Sequence, residues 1–398
     1  MRRILAAGEA PGPSGINRAM RVWITDATTV TALGDGLHEL WRRLLSGETA
    51  IRPVRRFPVV GYRARIAAHI EDLRQPGYRS MIHSLLDRLF SGMGTVPSDS
   101  IIITATTKGG IDNLERLRRG ASADANDILL GSIVDAVSQR FGLTGNGINI
   151  SAACASSAIA VARGSALIAA GRAEAVLVCC VDIVTEFVFS GFSSLGALSP
   201  APCMPFDRDR DGLSLGEGGA ALLLMSDERA KQERRLHLAT VAGWGVANDA
   251  HHVTAPAPDG CGLIKAVRKA LNRAMLDEEQ ISAICAHGTG TIYNDLMEMT
   301  AFRHLFGARN PPVYSVKGAI GHTMAAAGGI EVALGAKTLC EKVIPPTVGL
   351  LNPADEAIGM VSPDAAQMPG EYLLTSNSGF GGVNAAIILK RGEETPCH

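Results

Sequence analysis

Runs of β-branched and aliphatic residues alternate along the chain with longer segments rich in alanine and leucine. Strands are expected at Val22–Thr25, Ser100–Ala105, Gly147–Ile150, Ala175–Val181, Gly219–Met225, Ala239–Trp244, Ile281–Ala286, Val313–Ser315, Leu373–Ser376 and Asn384–Lys390. Helices are expected at Gly36–Ser46, Ser80–Leu89, Asn126–Phe141, Ala155–Ala170, Gly260–Ala274, Asp295–Phe306 and Met324–Glu341. Strands alternating with helices predict an α/β fold with buried, mainly parallel sheets.

The pattern has an internal echo. Strand Gly147–Ile150 leads through Cys154 into the small-residue helix ASSAIAVARGSALIAAG, and strand Val313–Ser315 leads through Lys317 and His322 into MAAAGGIEVALGAKTL. Helices with Ala and Gly on most faces pack closely between layers. Two readings fit: a pair of Ala-rich core helices, or a duplicated unit whose strand-to-helix corners meet at one site.

Composition narrows the function classes. With 398 residues, 46% hydrophobic, the chain is long enough for a large core. Lys+Arg (38) and Asp+Glu (39) nearly cancel, so no global field attracts nucleic acid. An acidic partner must be met by a local patch, for which Arg55, Arg56, Arg63 and Arg65 are the candidates. None of the eight cysteines forms a C-x-x-C pair, which fits a reducing, cytoplasmic compartment rather than a disulfide framework. Cys285-x-His287 stands without a second pair, so no metal site is expected. The first 19 residues hold only a four-residue apolar run, too short for a signal peptide, and read as a disordered leader. No apolar run is long enough for a membrane span.

Four segments can carry chemistry. Cys154, in ISAACASSAIA, sits where a strand ends and a helix begins, so the helix dipole favours its thiolate. A buried core cysteine is the alternative. AHGTGTIYNDLME offers His287 at a strand end, with Thr289 and Thr291 alternating so that both hydroxyls can face one cleft. SVKGAIGHTMAAAGG places Lys317 and His322 on one glycine-rich corner. SNSGFGGVN supplies a flexible turn around Phe380 that can present a backbone N–H to an oxyanion. Each alone also reads as an ordinary turn. The glycine patterns do not match nucleotide sites: GEGGA precedes a strand, not a helix.

Together, ACASS, PFDRDRDGLSLGEGGA, HGTGT, KGAIGHT and GFGGVN stand in an order that closely resembles the elongating β-ketoacyl-[acyl-carrier-protein] synthases of type II fatty-acid and polyketide pathways. The resemblance spans about residues 20 to 392. It implies the thiolase fold: duplicated halves, here 20–230 and 231–398, in five αβαβα layers. It implies a dimer, either a homodimer or a heterodimer with a chain-length partner, with Ala175–Val181 as the interface strand. Cys154 would carry the acyl chain as a thioester, and the amides of Cys154 and Phe380 would form the oxyanion hole. His287 and His322 would promote decarboxylation of malonyl-[acyl-carrier-protein]. Lys317 would order that site, paired with Glu298. Thr289 and Thr291 would hold the phosphopantetheine arm of the carrier, and Phe380 would gate the acyl pocket. No cofactor is implied beyond that arm. The expected product is a 3-oxoacyl-[acyl-carrier-protein], with CO2 released, in a specialised polyketide, polyene or fatty-acid pathway.

The chain departs from the family pattern at three places. Ile292 follows HGTGT where proline is usual, Ala152 stands where threonine is common, and Lys108 stands in TTKGG where many members have an apolar residue facing the acyl pocket. The last predicts an altered substrate preference. A thiolase would need a second cysteine in the C-terminal glycine turn, and an initiating synthase an asparagine where His322 stands. A non-catalytic chain-length partner is the alternative of a different class, and it would lack the cysteine.

Overall fold

The described residues of this computed structural model are 20–145 and 147–393; the expected leader, residues 1–19, and Cys397 lie outside them. Ten strands line up in one sheet: β1 Val22–Thr31, β2 Ile101–Ala105, β3 Gly147–Ile150, β4 Ala175–Asp182, β5 Gly218–Ser226, β6 Ala239–Asn248, β7 Ile281–Cys285, β8 Val313–Tyr314, β9 Tyr372–Gly379 and β10 Val383–Arg391. Their order is β8-β7-β9-β10-β6-β1-β5-β4-β2-β3, and the short strand Gly34–Asp35 pairs on β1 as an eleventh.

The order is the same pattern used twice. Numbered by appearance within its half, each block of five runs 3-2-4-5-1 from the outer edge inward. Directions repeat as well. The pairs β3/β2, β2/β4, β8/β7 and β7/β9 are parallel, while β4/β5, β5/β1, β9/β10 and β10/β6 are antiparallel. The halves join where β1 pairs with β6 through Val22↔Val241, Trp23↔Thr240 and Ile24↔Ala239. The expected boundary at 230/231 falls inside a short helix, Asp227–Gln232, that connects them.

The sheet is therefore mixed rather than mainly parallel. The reason is visible at β9–β10, where three residues, Phe380–Gly382, close an antiparallel hairpin and leave no room for a crossover helix. The eleven α-helices are α1 Leu37–Leu45, α2 Met81–Ser91, α3 Ile111–Arg118, α4 Ser132–Phe141, α5 Ser156–Ala169, α6 Glu186–Ser194, α7 Asp227–Gln232, α8 Cys261–Ala274, α9 Ile292–Phe306, α10 Lys317–Ile320 and α11 Ala327–Glu341. Helices α5 and α11 pack on each other between the two half-sheets. Helices α2 and α4 cover the outer face of the first half, and α8, with α9 beside it, covers that of the second. This is the expected αβαβα layering. Three apolar clusters match its interfaces: one around α5 and α11, and one under each outer helix layer.

A second correction concerns the dimer strand. β4 lies inside the sheet, between β5 and β2, and every one of its residues is buried. Its Cys179 and Cys180 are packing residues within one subunit. The open edge of the first half is β3, where Ile148 is 47% exposed. An all-apolar run signals burial on both faces, and a central strand meets that condition without a partner. Among the described residues, Cys154, Cys179, Cys180, Cys203, Cys261 and Cys285 are free thiols. Among the described residues, no helix is long and apolar enough to cross a membrane.

Candidate active site

The corner between β3 and α5 presents Cys154. Ala153 takes a positive φ of 48°, rare for a residue with a Cβ, and so turns the chain sharply before the helix. The Ser156 hydroxyl secures the turn: it accepts from the Ala152 amide at 2.8 Å and donates to the Ala153 carbonyl at 2.6 Å. Gly379 of β9 lies against this corner, so close that a Cβ there would stand 3.1 Å from the Cys154 nitrogen. The backbone N–H groups of Cys154 and of Phe380, the next residue, have no acceptor among the described residues.

The matching corner of the second half brings up the histidines. His322 Nε2 is 2.9 Å from Cys154 Sγ, and the His287 and His322 rings meet edge-on with centroids 5.1 Å apart. One donor atom from each of Cys154, His287 and His322 lies within 4.8 Å of the others. These three are the only described residues whose donors could converge on a metal; Cys285 is not among them. The His322 backbone is held by the LSLGEGG segment: its N–H donates to the Ser214 carbonyl, and its carbonyl accepts from the Gly216 amide. A Cβ at Gly216 would strike the Ile320 carbonyl, which is why that motif needs glycine without a nucleotide to bind.

Buried charges fix the rest. Glu298 of α9 accepts the amides of His287 at 2.8 Å and Gly288 at 2.7 Å. Asp295, one turn earlier, accepts from the amides of Phe206, Thr289 and Gly290. Lys317 donates to the His287 carbonyl and to Glu331 Oε1. The expected Lys317–Glu298 pair is thus replaced by Lys317–Glu331. Glu298 is already committed to two amides, while Glu331 extends from α11 directly to the ammonium. Glu331, Asp295, Asp182 and Asn377 were not singled out from sequence. A lone glutamate in the otherwise apolar helix MAAAGGIEVALGA was the legible sign of the first.

The site opens into a cavity of about 370 Å³ lined by Cys154, His287, His322, Thr289, Thr291 and Phe380. The threonine hydroxyls do reach the same cleft, where they are bonded to each other at 2.9 Å. The Phe380 ring stacks near Phe192 of α6. Lys108 is not among the residues lining this cavity. It is half-buried on a turn that Asp182 anchors, accepting from Thr106 Oγ1 at 2.7 Å and Thr107 Oγ1 at 2.9 Å. The Asp182 carboxylate also accepts the Ala325 amide at 2.9 Å, which ties the Lys108 turn to the His322 corner.

The electrostatics differ from those expected of a helix end. Burial pushes the Cys154 thiol up to about 11; the charges of Lys317 and Lys108 pull it down, and those of Asp182 and Glu331 oppose them. The resting nucleophile is therefore a neutral thiol. Burial, reinforced by Lys317, holds both histidines well below the usual imidazole range, so they too are neutral. Burial and the nearby Asp295 push Glu298 up to about 7.

The four arginines separate. Arg55, Arg63 and Arg65 are exposed, and Arg63 pairs with Asp211 at the cavity mouth. Arg56 instead turns inward and grips the fully buried Glu217 through both terminal nitrogens, at 2.6 and 2.7 Å. It is removed from the patch because Glu217 needs a counter-charge.

Comparison with known proteins agrees with this geometry. Residues 103–230 match the N-terminal domain of the beta-ketoacyl synthases, and residues 238–351 match their C-terminal domain. The 3-oxoacyl-[acyl-carrier-protein] synthase 2 of Rhizobium meliloti is 31% identical, over 93% of this chain and 99% of the relative. The ishigamide ketosynthase/chain length factor superposes with a TM-score of 0.85 at 27% identity, covering 94% of this chain and 99% of that one. A ketosynthase in complex with its chain length factor, from Xenorhabdus doucetiae, gives 0.78 at 26% identity, covering 95% and 99%. With both domains matched in order across a thiolase-fold architecture, the chain belongs to the β-ketoacyl synthases, a family of acyltransferases.

Proposed function

We propose that the protein catalyses the decarboxylative Claisen condensation of an acyl chain with malonyl-[acyl-carrier-protein]. The observation that carries this reading is the Cys154–His322 contact of 2.9 Å at the base of an open cavity, with His287 converging on it. A non-catalytic chain-length partner would not need such a constellation.

In the first half-reaction the Cys154 sulfur attacks the acyl thioester, and neutral His322 accepts the thiol proton. The carrier thiolate leaves and takes that proton from His322. The tetrahedral oxyanion is met by the unpaired amides of Cys154 and Phe380. In the second, malonyl-[acyl-carrier-protein] loses CO2, and the electron pair of the broken bond forms an enolate beside His287 and His322. Its carbon attacks the acyl–Cys154 carbonyl, the carbon–sulfur bond breaks, and Cys154 regains a proton. Lys317 acts by fixing the His287 backbone, and Glu298 by holding the adjacent amides. Thr289 and Thr291 receive the phosphopantetheine arm along the cavity.

The partner is an acyl-carrier protein docking by way of exposed Arg55, Arg63 and Arg65. The subunit pairs with a second copy or with a chain-length partner, as the similar ishigamide and Xenorhabdus proteins do. The pathway is a specialised polyketide, polyene or fatty-acid one. Lys108 stands on the Asp182-anchored turn and does not line the cavity that would take the acyl chain, so the cavity lining gives no support to the expectation that it selects the substrate.

Mass spectrometry tests the reading in one experiment. Acyl-carrier protein should leave its acyl group on Cys154, and malonyl-carrier should then release 3-oxoacyl-carrier. Elongation by Cys154→Ala would overturn the assignment.

A further inference from the structure

Asn377, buried near the end of β9, touches two groups of the site with one nitrogen. Its side-chain Nδ2 is 2.7 Å from Glu331 Oε2 and 3.4 Å from His287 Nδ1. Its Oδ1 has no hydrogen-bond partner among the described residues. The network decides which way this amide faces. Glu331, ion-paired with Lys317, offers only acceptors and must meet the amide nitrogen. The nitrogen has two hydrogens, one for Glu331 and one for His287 Nδ1. An imidazole nitrogen that receives a hydrogen bond carries no proton. His287 is neutral, so its single ring proton sits on Nε2.

We infer that Asn377 is a positioning residue that locks His287 in the Nε2–H form, so that this imidazole serves the condensation as a hydrogen-bond donor rather than as a base. Nδ1 is occupied on the Asn377 side, which leaves Nε2 for the cavity that His287 lines. When the malonyl carboxylate leaves, charge gathers on the thioester oxygen. A fixed donor at that oxygen acts there, and its proton stays on His287 throughout. The other end of the relay is the ammonium of Lys317: it holds Glu331, Glu331 holds Asn377, and Asn377 sets the tautomer. The inference rests on the role proposed above for His287.

The test pairs ¹⁵N NMR of histidine-labelled protein, with His287 assigned through His287→Ala, with separate assays of the two half-reactions. The parent should show His287 protonated on Nε2. In Asn377→Asp the new carboxyl and Glu331 share one proton, as adjacent carboxylates do. The remaining oxygen of residue 377 then accepts from Nδ1–H, and the tautomer reverses. Acylation of Cys154 should stay close to the parent rate while condensation falls by about 10²–10³-fold, the cost of a lost oxyanion donor. Asn377→Leu should leave a mixture of tautomers and an intermediate loss. A parent His287 protonated on Nδ1 overturns the inference whether or not the Asn377 variants fold. So does an Asn377→Asp enzyme that condenses normally, or one that loses both half-reactions equally. Normal condensation by His287→Ala would instead remove the underlying reading of His287.

Discussion

Lys317 and Glu331 meet at 2.5 Å in the interior, each about 1% exposed, and the ammonium of this pair also reaches the His287 carbonyl. A catalytic loop is thereby anchored to a core helix by an ion pair with no access to water. Removing one partner strands the other. Lys317→Met should cost about 3–5 kcal/mol, and Lys317→Met with Glu331→Gln clearly less than the sum of the two single changes. Denaturation of the four proteins of the cycle measures this. Strict additivity would show that the two charges do not depend on each other.

The nucleophile rests as a thiol. Because burial raises its pKa to about 11, the thiolate fraction grows about tenfold per pH unit throughout the range around neutrality. The rate of Cys154 alkylation by iodoacetamide should rise steadily from pH 7 to 9.5. A plateau below pH 8 would show that the helix end outweighs burial.

The two histidines stand differently towards sulfur. His322 touches Cys154 Sγ and in the proposed reaction accepts its proton, whereas the His287 ring meets Asn377 and its carbonyl meets Lys317. His322→Ala should slow both acylation and condensation. His287→Ala should spare acylation and reduce condensation by about 10²–10³-fold. Single-turnover assays of each half-reaction separate these outcomes; identical effects of both variants would contradict the division.

Arginines close in sequence should behave in opposite ways. Arg55→Glu with Arg65→Glu should raise KM for carrier-borne substrate and leave turnover of small thioesters unchanged. Arg56→Ala should lower stability by about 3 kcal/mol, because buried Glu217 loses its permanent counter-charge and keeps only the Ile70 and Val184 amides and His69 beside it. A raised carrier KM with normal stability in Arg56→Ala would return that residue to the docking face.

Ten of the eleven strands of the large sheet and most helices were legible from hydrophobic periodicity, and the meeting of Cys154, His287 and His322 was implied by the family resemblance that their motifs carry. What escaped depends on partners far apart in the chain. The carboxylate that Lys317 meets could not be chosen by counting residues: Glu298 is nearer in the motif, but two backbone amides occupy it. β4 was matched to the interface strand by resemblance, and its all-apolar run could not correct the match, because periodicity does not distinguish a strand covered by a second subunit from one covered by its own helices. Helices α3 and α6 were missed because each is short and half-exposed, with weak apolar repetition. The burial that pushes the Cys154 thiol up was not legible either, because it comes from elements far apart in the chain.

The twofold use of one strand order has a consequence for how such a protein can change. Cys154 and His322 follow the third strand of the first and second half respectively, so the sulfur and the imidazole come from matching corners of a repeated unit. Each corner carries its own buried scaffold, Ser156 for one and the Ser214–Gly216 segment for the other. Variation in the surroundings of one corner therefore does not have to be tolerated by its counterpart. Reactivity of the sulfur and proton affinity of the imidazole can be inherited as separate traits, within a frame that keeps the two atoms in contact.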